Sequence, residues 1–402
     1  MLNSPYMSPK IKVAVGLSGG VDSSVSAALL VERGYSVLGL TMKIWSGAVS
    51  VMKGSRDACF GPGEAEDVAA CERLCGVLGI EYMAIDLSDE YEKRVLDYFR
   101  REYLSGRTPN PCIICNNEIK FGFLTERAHA LGLDFEYFAT GHYARICRDS
   151  AGSYRLRAAL DRSKDQSYFL YRLGAERLSR ILFPLGELNK SQVRDLARRF
   201  GLDVAEKPES QDFIAGGDYS PLFAGQAPES GDIVDAEGRI LGRHRGLPYY
   251  TIGQRRGIGI GAASYAGGAF EALYVIALDP EKNRVVVGPN RGLFADGLLA
   301  SDFLVYANPD DGESGSRGFA KIRQNHRAVP CSFELDGAGS CRIYFDESQR
   351  ALAPGQSVVV YDADGFVLGG GIIEKAIQEP SLTYGANSGY SSDSDSKLSG
   401  NP

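Results

Sequence analysis

Apolar positions in the first half of the chain follow two alternating rhythms. Near-continuous apolar runs occupy 12–17 (KVAVGL), 36–45 (SVLGLTMKIW), 81–87 (EYMAIDL) and 135–140 (FEYFAT). Between them, at 24–34, 65–79, 88–104 and 118–131, apolar residues recur at helical spacing. The runs predict strands buried on both faces and the intervening stretches predict helices, so this half reads as a doubly wound parallel sheet of the α/β class. Further helices are expected at 174–183 and 190–201, and 202–225 reads as loop, with Pro208 and Gly216-Gly217. From residue 230 helical periodicity fades. Short strands alternate with turns: GDIVDAEGRILG, ALYVIALDPEKNRVVVG, CSFELD, CRIYFD and SVVVYDADGFVLGGGIIE. Asp-Ala-Asp-Gly before Phe366 is a hairpin signal. The expected organisation is an α/β domain over 1–212, a small β-rich domain over 213–290 and a C-terminal β-barrel over 291–377. A Ser-, Gly-, Asn- and Asp-rich disordered tail is expected over 378–402.

Composition changes this picture little. The 402 residues suit two or three domains, and no apolar run is long enough for a membrane span. Met1 to Lys10 lacks the apolar segment of an export signal, so a cytoplasmic location is expected. The formal charge of −7 excludes a uniformly basic nucleic-acid coat but leaves room for a local basic face. The eight cysteines are expected to be reduced thiols. The four histidines, at 129, 142, 244 and 326, are not paired at metal-ligand spacing.

Chemistry enters at the first strand–helix junction, Gly16-Leu17-Ser18-Gly19-Gly20-Val21-Asp22-Ser23. A Gly-Ser loop there presents backbone N–H groups and the positive helix end to an anion. It has neither the lysine of a Walker loop nor a G-x-G-x-x-G spacing. A turn with Asp22 or Ser23 capping the helix is the plainer alternative. The second feature is Cys112 and Cys115, after Pro109-Asn110-Pro111 and before a helical run containing Lys120. A helix start and a lysine are expected to lower a thiol's pKa below about 8.5. Such a pair serves as catalytic thiols, as iron–sulfur ligands with a third cysteine that sequence does not identify, or as part of a zinc site. Cys71 and Cys75 share a helical stripe with Val68 and Leu78 and read as core. His142 ends a strand, where either a functional role or a structural hydrogen bond suits it. Trp45, Tyr249 and Tyr250 are expected to pack in the core.

GLSGGVDSS resembles the Ser-Gly-Gly-x-Asp-Ser loop of the PP-loop ATP pyrophosphatases. Together with GRTPNPCIICNNEIKFG, ATGHYAR, KDQSYFLY, KPESQDF and GLPYYTIGQRRGIGIG, in that order from about 11 to 376, the chain is similar to the tRNA-specific 2-thiouridylases. That resemblance implies an adenine nucleotide α-hydrolase-like fold and thiolation of the wobble uridine of tRNA. ATP would be the activating cofactor, with Mg2+ held by Asp22, and a persulfide-carrying protein would donate the sulfur. Gly16 to Ser23 would bind ATP phosphates, and Met42 and Gly141 the adenosine. Asn110, Pro111 and Cys112 would meet the flipped base. Lys164, Asp165, Gln166, Arg323 and Gln324 would contact tRNA. Candidate basic patches are Arg100-Arg101 with Arg107, Arg198-Arg199, Arg243 with Arg245, and Arg255-Arg256.

Two departures stand out. The resemblance implies an Asp where this chain has Cys112, and a second catalytic cysteine shortly after KPESQ, where this chain has none before Cys331. Cys112 and Cys115 are therefore expected to act as a persulfide/disulfide pair, with an iron–sulfur cluster on them as the alternative. Another PP-loop ligase, or a non-catalytic RNA- or nucleotide-binding module, would have no need of the two thiols.

Overall fold

In this computed structural model Val13, Ala14 and Val15 are fully buried, and they make β1 (Lys12–Gly16) the centre of the first sheet. The structure describes residues 10–49, 58–149, 152–207, 212–214, 218–225, 228–260, 272–306, 316–336 and 339–378. After β1 come α1 (Val21–Glu32), β2 (Ser36–Lys43), β3 (Ala58–Phe60), α2 (Glu64–Leu78) and β4 (Glu81–Asp86). Next, α3 (Ser88–Tyr91) passes through a π turn (Glu92–Leu96) into α4 (Asp97–Leu104). Then α5 (Pro111–Ile114) continues as a π-helical stretch (Cys115–Phe123) into α6 (Leu124–Ala130). The first half ends with β5 (Tyr137–Thr140), β6 (Ala144–Arg148), β7 (Tyr154–Ala158), α7 (Ala175–Leu178), β8 (Ile181–Leu182), α8 (Lys190–Arg199) and β9 (Asp212–Ile214).

The main sheet has the order β4-β2-β1-β5-β8, and all its pairings are parallel. Crossover helices force that arrangement, because parallel neighbours cannot be joined by a tight turn. Three local expectations are corrected. The helix expected over 174–183 stops at Leu178, because Ile181 and Leu182 pair with Phe138 and Ala139 as an edge strand. The loop expected over 202–225 contains β9, which pairs parallel with β3, Ala58 opposite Asp212 and Phe60 opposite Ile214. The antiparallel hairpin β6–β7 was not expected at all; its alternation is broken by charged residues.

The second half is all-β. β10 (Gly231–Val234), β11 (Ile240–His244), β12 (Tyr274–Asp279) and β13 (Arg284–Gly288) form a sheet of order β11-β10-β13-β12. β14 (Phe294–Val305), β15 (Ser316–Lys321), β16 (Val329–Leu335), β17 (Cys341–Arg350), β18 (Ser357–Tyr361) and β19 (Val367–Ile377) close into a barrel. Leu298, Ile343, Val358, Val360 and Ile373 fill it without exposure, and closure leaves no unpaired edge. Cys331 and Cys341 are buried within it, and burial pushes both thiols up to about 12. The tail over 379–402 lies outside the described residues.

Among its contacts with the α/β half, one set from the barrel bears on the thiols. Arg107 makes a two-pronged ion pair with Glu374 of β19, at 2.7 and 3.0 Å. Thr108 N–H donates to the Pro354 carbonyl at 2.7 Å, and Gln356 Nε2 donates to the Thr108 carbonyl at 2.9 Å and the Pro109 carbonyl at 3.2 Å. The approach to Cys112 is thus fixed by residues more than 240 positions away.

Candidate active site

The junction between β1 and α1 forms a phosphate cradle. Gly19 sits at φ +71°, and a Cβ there would lie 2.9 Å from Asp67 Oδ1, so only glycine fits. Gly20 is the N-cap of α1 and has no side-chain cap. Neither Asp22 nor Ser23 caps the helix, which leaves its first N–H groups for a ligand. Ser23 Oγ instead accepts from Ser18 N–H at 3.2 Å and stands 3.3 Å from Ser18 Oγ, bracing the loop.

The cradle opens on a cavity of about 300 Å³ lined by all of the expected loop residues Gly16 to Ser23 except Gly19. Met42 and Gly141 line it too, as the resemblance implied for the adenosine. Gly141 is pressed on the loop: a Cβ would be 2.6 Å from Ser23 N and 2.7 Å from Asp22 C. Both are backbone atoms with little room to yield. Gly141→Ala is therefore expected to weaken ATP binding at least about tenfold while the melting temperature moves little. Isothermal titration with a non-cleavable ATP analogue checks this, and unchanged affinity would contradict it.

The lysine absent from the loop arrives from elsewhere. Lys190, the first residue of α8, places Nζ 2.7 and 2.9 Å from the Asp22 carboxylate. Tyr143 also donates to Asp22, at 2.9 Å. Lys207 donates to Asp67 at 2.8 Å and to the Gly19 carbonyl at 3.3 Å. Lys120 lines the same cavity. Three ammonium groups from three distant segments thus face a nucleotide-sized space, held there in part by carboxylates. The sequence carries no local sign of Lys190, which lies in an ordinary polar stretch, and Lys207 opens KPESQDF without anything there assigning it to a nucleotide. His142 also lines the cavity and pairs with Thr140 Oγ1 at 2.7 Å. Burial, aided by Lys120, pushes its pKa well below the usual range, so the imidazole is neutral. Glu64 accepts from Ile44 and Trp45 N–H at 2.6 and 2.9 Å.

The thiols lie behind this wall. Cys115 opens the π-helical stretch and Lys120 follows five residues on. The i→i+5 bonding of a π-helix brings those two positions round to neighbouring places, which an α-helix would not. Neither Cys112 nor Cys115 lines the nucleotide cavity, but Cys59 does. Sequence reasoning passed Cys59 over, because its short strand carries no motif. Tyr91 is stacked on Phe60 at 5.5 Å. Its phenol is pushed far up, mainly by burial and further by the Cys115, Cys59 and Cys112 thiols.

The expectation of a lowered Cys115 pKa is corrected. Burial dominates and pushes the thiol up to about 11, although Lys120 pulls the other way. A thiol with a raised pKa is mostly protonated at neutral pH. Alkylation of Cys115 in the free protein is therefore expected to speed up about tenfold per pH unit between about pH 7 and 10. Lys120→Met removes the opposing cation and should slow it further at each pH. Peptide-resolved labelling with iodoacetamide checks both, and a plateau by about pH 8 would contradict the assignment. Cys71 and Cys75 are buried at 0% and 1% exposure, as core thiols should be.

The expected tRNA contacts are divided. The Asp165 carboxylate turns inward, accepting from Ala159 N–H at 3.0 Å and Ser167 Oγ at 3.0 Å, with Lys321 at 3.7 Å. Gln166 lines the nucleotide cavity and holds Tyr143 N–H at 2.9 Å. Arg323 is exposed. Gln324 donates to the Asp165 carbonyl at 2.5 Å, and both border a second cavity of about 660 Å³ with Arg162, Lys321 and Arg327. Lys164 is half-buried near that cavity, and Asn110 and Pro111 start α5. Several expected basic patches are spent on ion pairs: Arg100 with Glu92, Arg198 with Glu206, Arg199 with Glu32 and Arg243 with Asp232. Arg255 and Arg256 are exposed. Trp45 packs on Phe60 and Tyr250 is buried, as expected.

Fold and site together define an ATP pyrophosphatase-type enzyme with a HUP catalytic domain and two β-rich additions. Family models match in the same order: a tRNA methyl transferase HUP domain over 11–215, a tRNA methyl transferase PRC-barrel domain over 224–289 and an aminomethyltransferase β-barrel domain over 295–373. The tRNA-specific 2-thiouridylase MnmA of Carboxydothermus hydrogenoformans is 44% identical over 91% of this chain and 98% of its own length. That of Clostridioides difficile is 41% identical over 91% and 99%. The chain belongs to the tRNA-specific 2-thiouridylase family. Among solved structures, an NMN synthetase from Francisella tularensis shares 19% identity over 54% of this chain and 70% of its own, with a TM-score of 0.31. Among the described residues no helix is long and apolar enough to cross a membrane.

Proposed function

We propose that the protein thiolates the wobble uridine of tRNA at its 2-position, using ATP to activate the base oxygen and a cysteine-delivered sulfur to replace it. The observation that carries this reading is a lysine-rimmed phosphate cradle sharing a wall with a group of thiols. The 2-oxygen of uracil is a poor leaving group. Attack of that oxygen on the ATP α-phosphorus expels pyrophosphate and makes the oxygen part of AMP, which leaves readily. Lys190 and Lys207 suit the charge that builds on the departing pyrophosphate, since preorganised cations act most strongly where charge develops. A lysine within the loop serves the β/γ bond of other nucleotide enzymes; here the β,γ pair leaves as a unit.

Magnesium suits the donor set. It takes one or two carboxylates plus phosphate oxygens, and Asp22 and Asp67 line the cavity. Asp22 would hold the ion, which would neutralise pyrophosphate charge. An iron–sulfur cluster fits less well. Among the described residues no group of three His, Cys, Asp or Glu side chains is placed to hold a metal, so no step is derived through one.

Cys115 is the thiol assigned to the sulfur chemistry, with Cys112 one turn before it. The base must leave the anticodon stack to reach them, at a cost of about a few kcal/mol that is least in an exposed loop. Lys164, Gln166, Arg323 and Gln324 are the assigned tRNA contacts, with the Asp165 carboxylate positioning its segment. The sulfur arrives from a separate persulfide-bearing protein. The family-model descriptions speak of methyl transfer, but a methyl donor would give the phosphate cradle and the thiols nothing to do. The test is purified protein with ATP, magnesium, a persulfide donor and tRNA carrying an unmodified wobble uridine. Thiolated tRNA, AMP and pyrophosphate are expected; ADP as product, or methylated tRNA from a methyl donor, would overturn the reading.

A further inference from the structure

Cys59 stands apart from the other seven cysteines in three ways. It is exposed, and it lines the same cavity as the phosphate loop, whereas Cys112 and Cys115 do not. It lies on β3, whose next residue Phe60 stacks on Tyr91, a buried phenol whose ionisation Cys115, Cys59 and Cys112 all oppose. It also sits on the strand paired with β9. β9 belongs to the segment where the family resemblance placed a second catalytic cysteine, and this chain has Phe213 and Ile214 there. Ile214 is fully buried opposite Phe60. The neighbouring strand therefore offers a thiol where its partner offers none.

We infer that Cys59 carries the incoming sulfur as a persulfide and that Cys115 is its resolving partner. The inference rests on the thiolation reading and names the second thiol of that site. Three features favour Cys59 over Cys112 as carrier. A donor protein's persulfide must reach the carrier from solvent, and Cys59 is exposed while Cys112 is partly enclosed. The carrier must reach the base where ATP activates it, and Cys59 lies on that cavity wall. The partner must reach the carrier, and Cys59 is close enough to Cys115 to oppose its ionisation.

The chemistry balances as follows. The Cys59 thiolate takes the terminal sulfur of a donor persulfide R–S–SH, giving Cys59–S–SH and R–SH. The terminal sulfur attacks the adenylated base carbon. A C–S bond forms, the C–O bond breaks, and AMP leaves with the oxygen and its electron pair. The Cys115 thiolate then attacks Cys59 Sγ, closing a Cys59–Cys115 disulfide. The electron pair of the broken S–S bond goes to the sulfur that remains on the base. The transferred sulfur is reduced by two electrons and two thiols are oxidised to a disulfide, which a dithiol reductant must open before the next turnover.

The experiment uses the full chain under anaerobic conditions, with glutathione persulfide as donor and an unmodified tRNA transcript. Persulfide-trapping alkylation and peptide mass spectrometry locate the added sulfur. A single turnover followed by non-reducing digestion locates the disulfide. We expect the sulfur on Cys59, the disulfide between Cys59 and Cys115, and at least a hundredfold loss of single-turnover thiolation in Cys59→Ser. The thermal melting curve of Cys59→Ser should match wild type, which shows that the variant is folded. Cys147→Ser, on the β6–β7 hairpin, is the control and should match wild type. Thiolation by Cys59→Ser within threefold of wild type, sulfur found on Cys112, or stoichiometric iron and inorganic sulfide bound through the three thiols would each overturn the assignment. A wild-type protein that loads sulfur onto Cys59 yet never thiolates tRNA would overturn the thiolation reading instead.

Discussion

Cys115→Ser is expected to lower tRNA thiolation at least about a thousandfold while a first turnover of ATP cleavage to AMP and pyrophosphate still occurs. The two half-reactions use different walls of the site. Adenylation needs the phosphate loop with Lys190 and Lys207, and Cys115 does not line their cavity. Sulfur transfer needs a thiol at 115, because a serine hydroxyl ionises far outside the working range and cannot close a disulfide with a neighbour. Without a thiol at 115 the transferred sulfur stays joined to its carrier, so the first turnover releases AMP and pyrophosphate but no thiolated product. Paired measurement of pyrophosphate release and thiolated nucleoside in tRNA digests separates the steps. Thiolation at the wild-type rate would remove Cys115 from the chemistry. Loss of both activities would mean that the thiol also shapes the nucleotide site.

Lys190→Ala is expected to have the next largest effect, a loss of about a hundredfold or more in kcat/KM for ATP. Removing one preorganised charged donor from a phosphate-transfer site costs about 10²–10³ in rate. The substitution also leaves Asp22 facing the incoming triphosphate without its 2.7 Å partner, so repulsion adds to the lost attraction. Lys190→Arg keeps the charge but not the compact shape of an ammonium, and should recover only part of the loss. Asp22→Asn in the Lys190→Ala background should lose less than the sum of the two single losses, because the two groups share one interaction. Steady-state kinetics against ATP at saturating tRNA check the series. Additive effects would show that Lys190 and Asp22 act independently of one another.

The two predictions expose a division in what the chain makes visible. The Gly-Ser loop is legible because its function is built from contiguous residues: a glycine at positive φ, helix N–H groups and small hydroxyls must follow one another in the chain. The parallel sheet is legible because strands buried on both faces need near-continuous apolar runs. Cys112 and Cys115 are legible as a pair, but their environment is not. A lowered pKa follows from a helix start and a lysine nearby in sequence, yet burial outweighs both and raises it. Whether a group is enclosed depends on the core it packs against, and that core includes Phe60 and Tyr91, which lie far from it in the chain.

Sequence by itself determined the order of the architectural parts, the phosphate-binding loop and the presence of two thiols at helical spacing, because each is a local pattern of residue types. Only the tertiary structure decided which cations complete the loop, which thiol lines the nucleotide cavity and which arginines are already committed to carboxylates. Lys190, Lys207 and Cys59 come together through a sheet crossover and the pairing of β3 with β9. Long-range placement of that kind leaves no periodic trace in the segments it joins, since a lysine or cysteine in a short polar stretch looks the same whether it faces solvent or substrate.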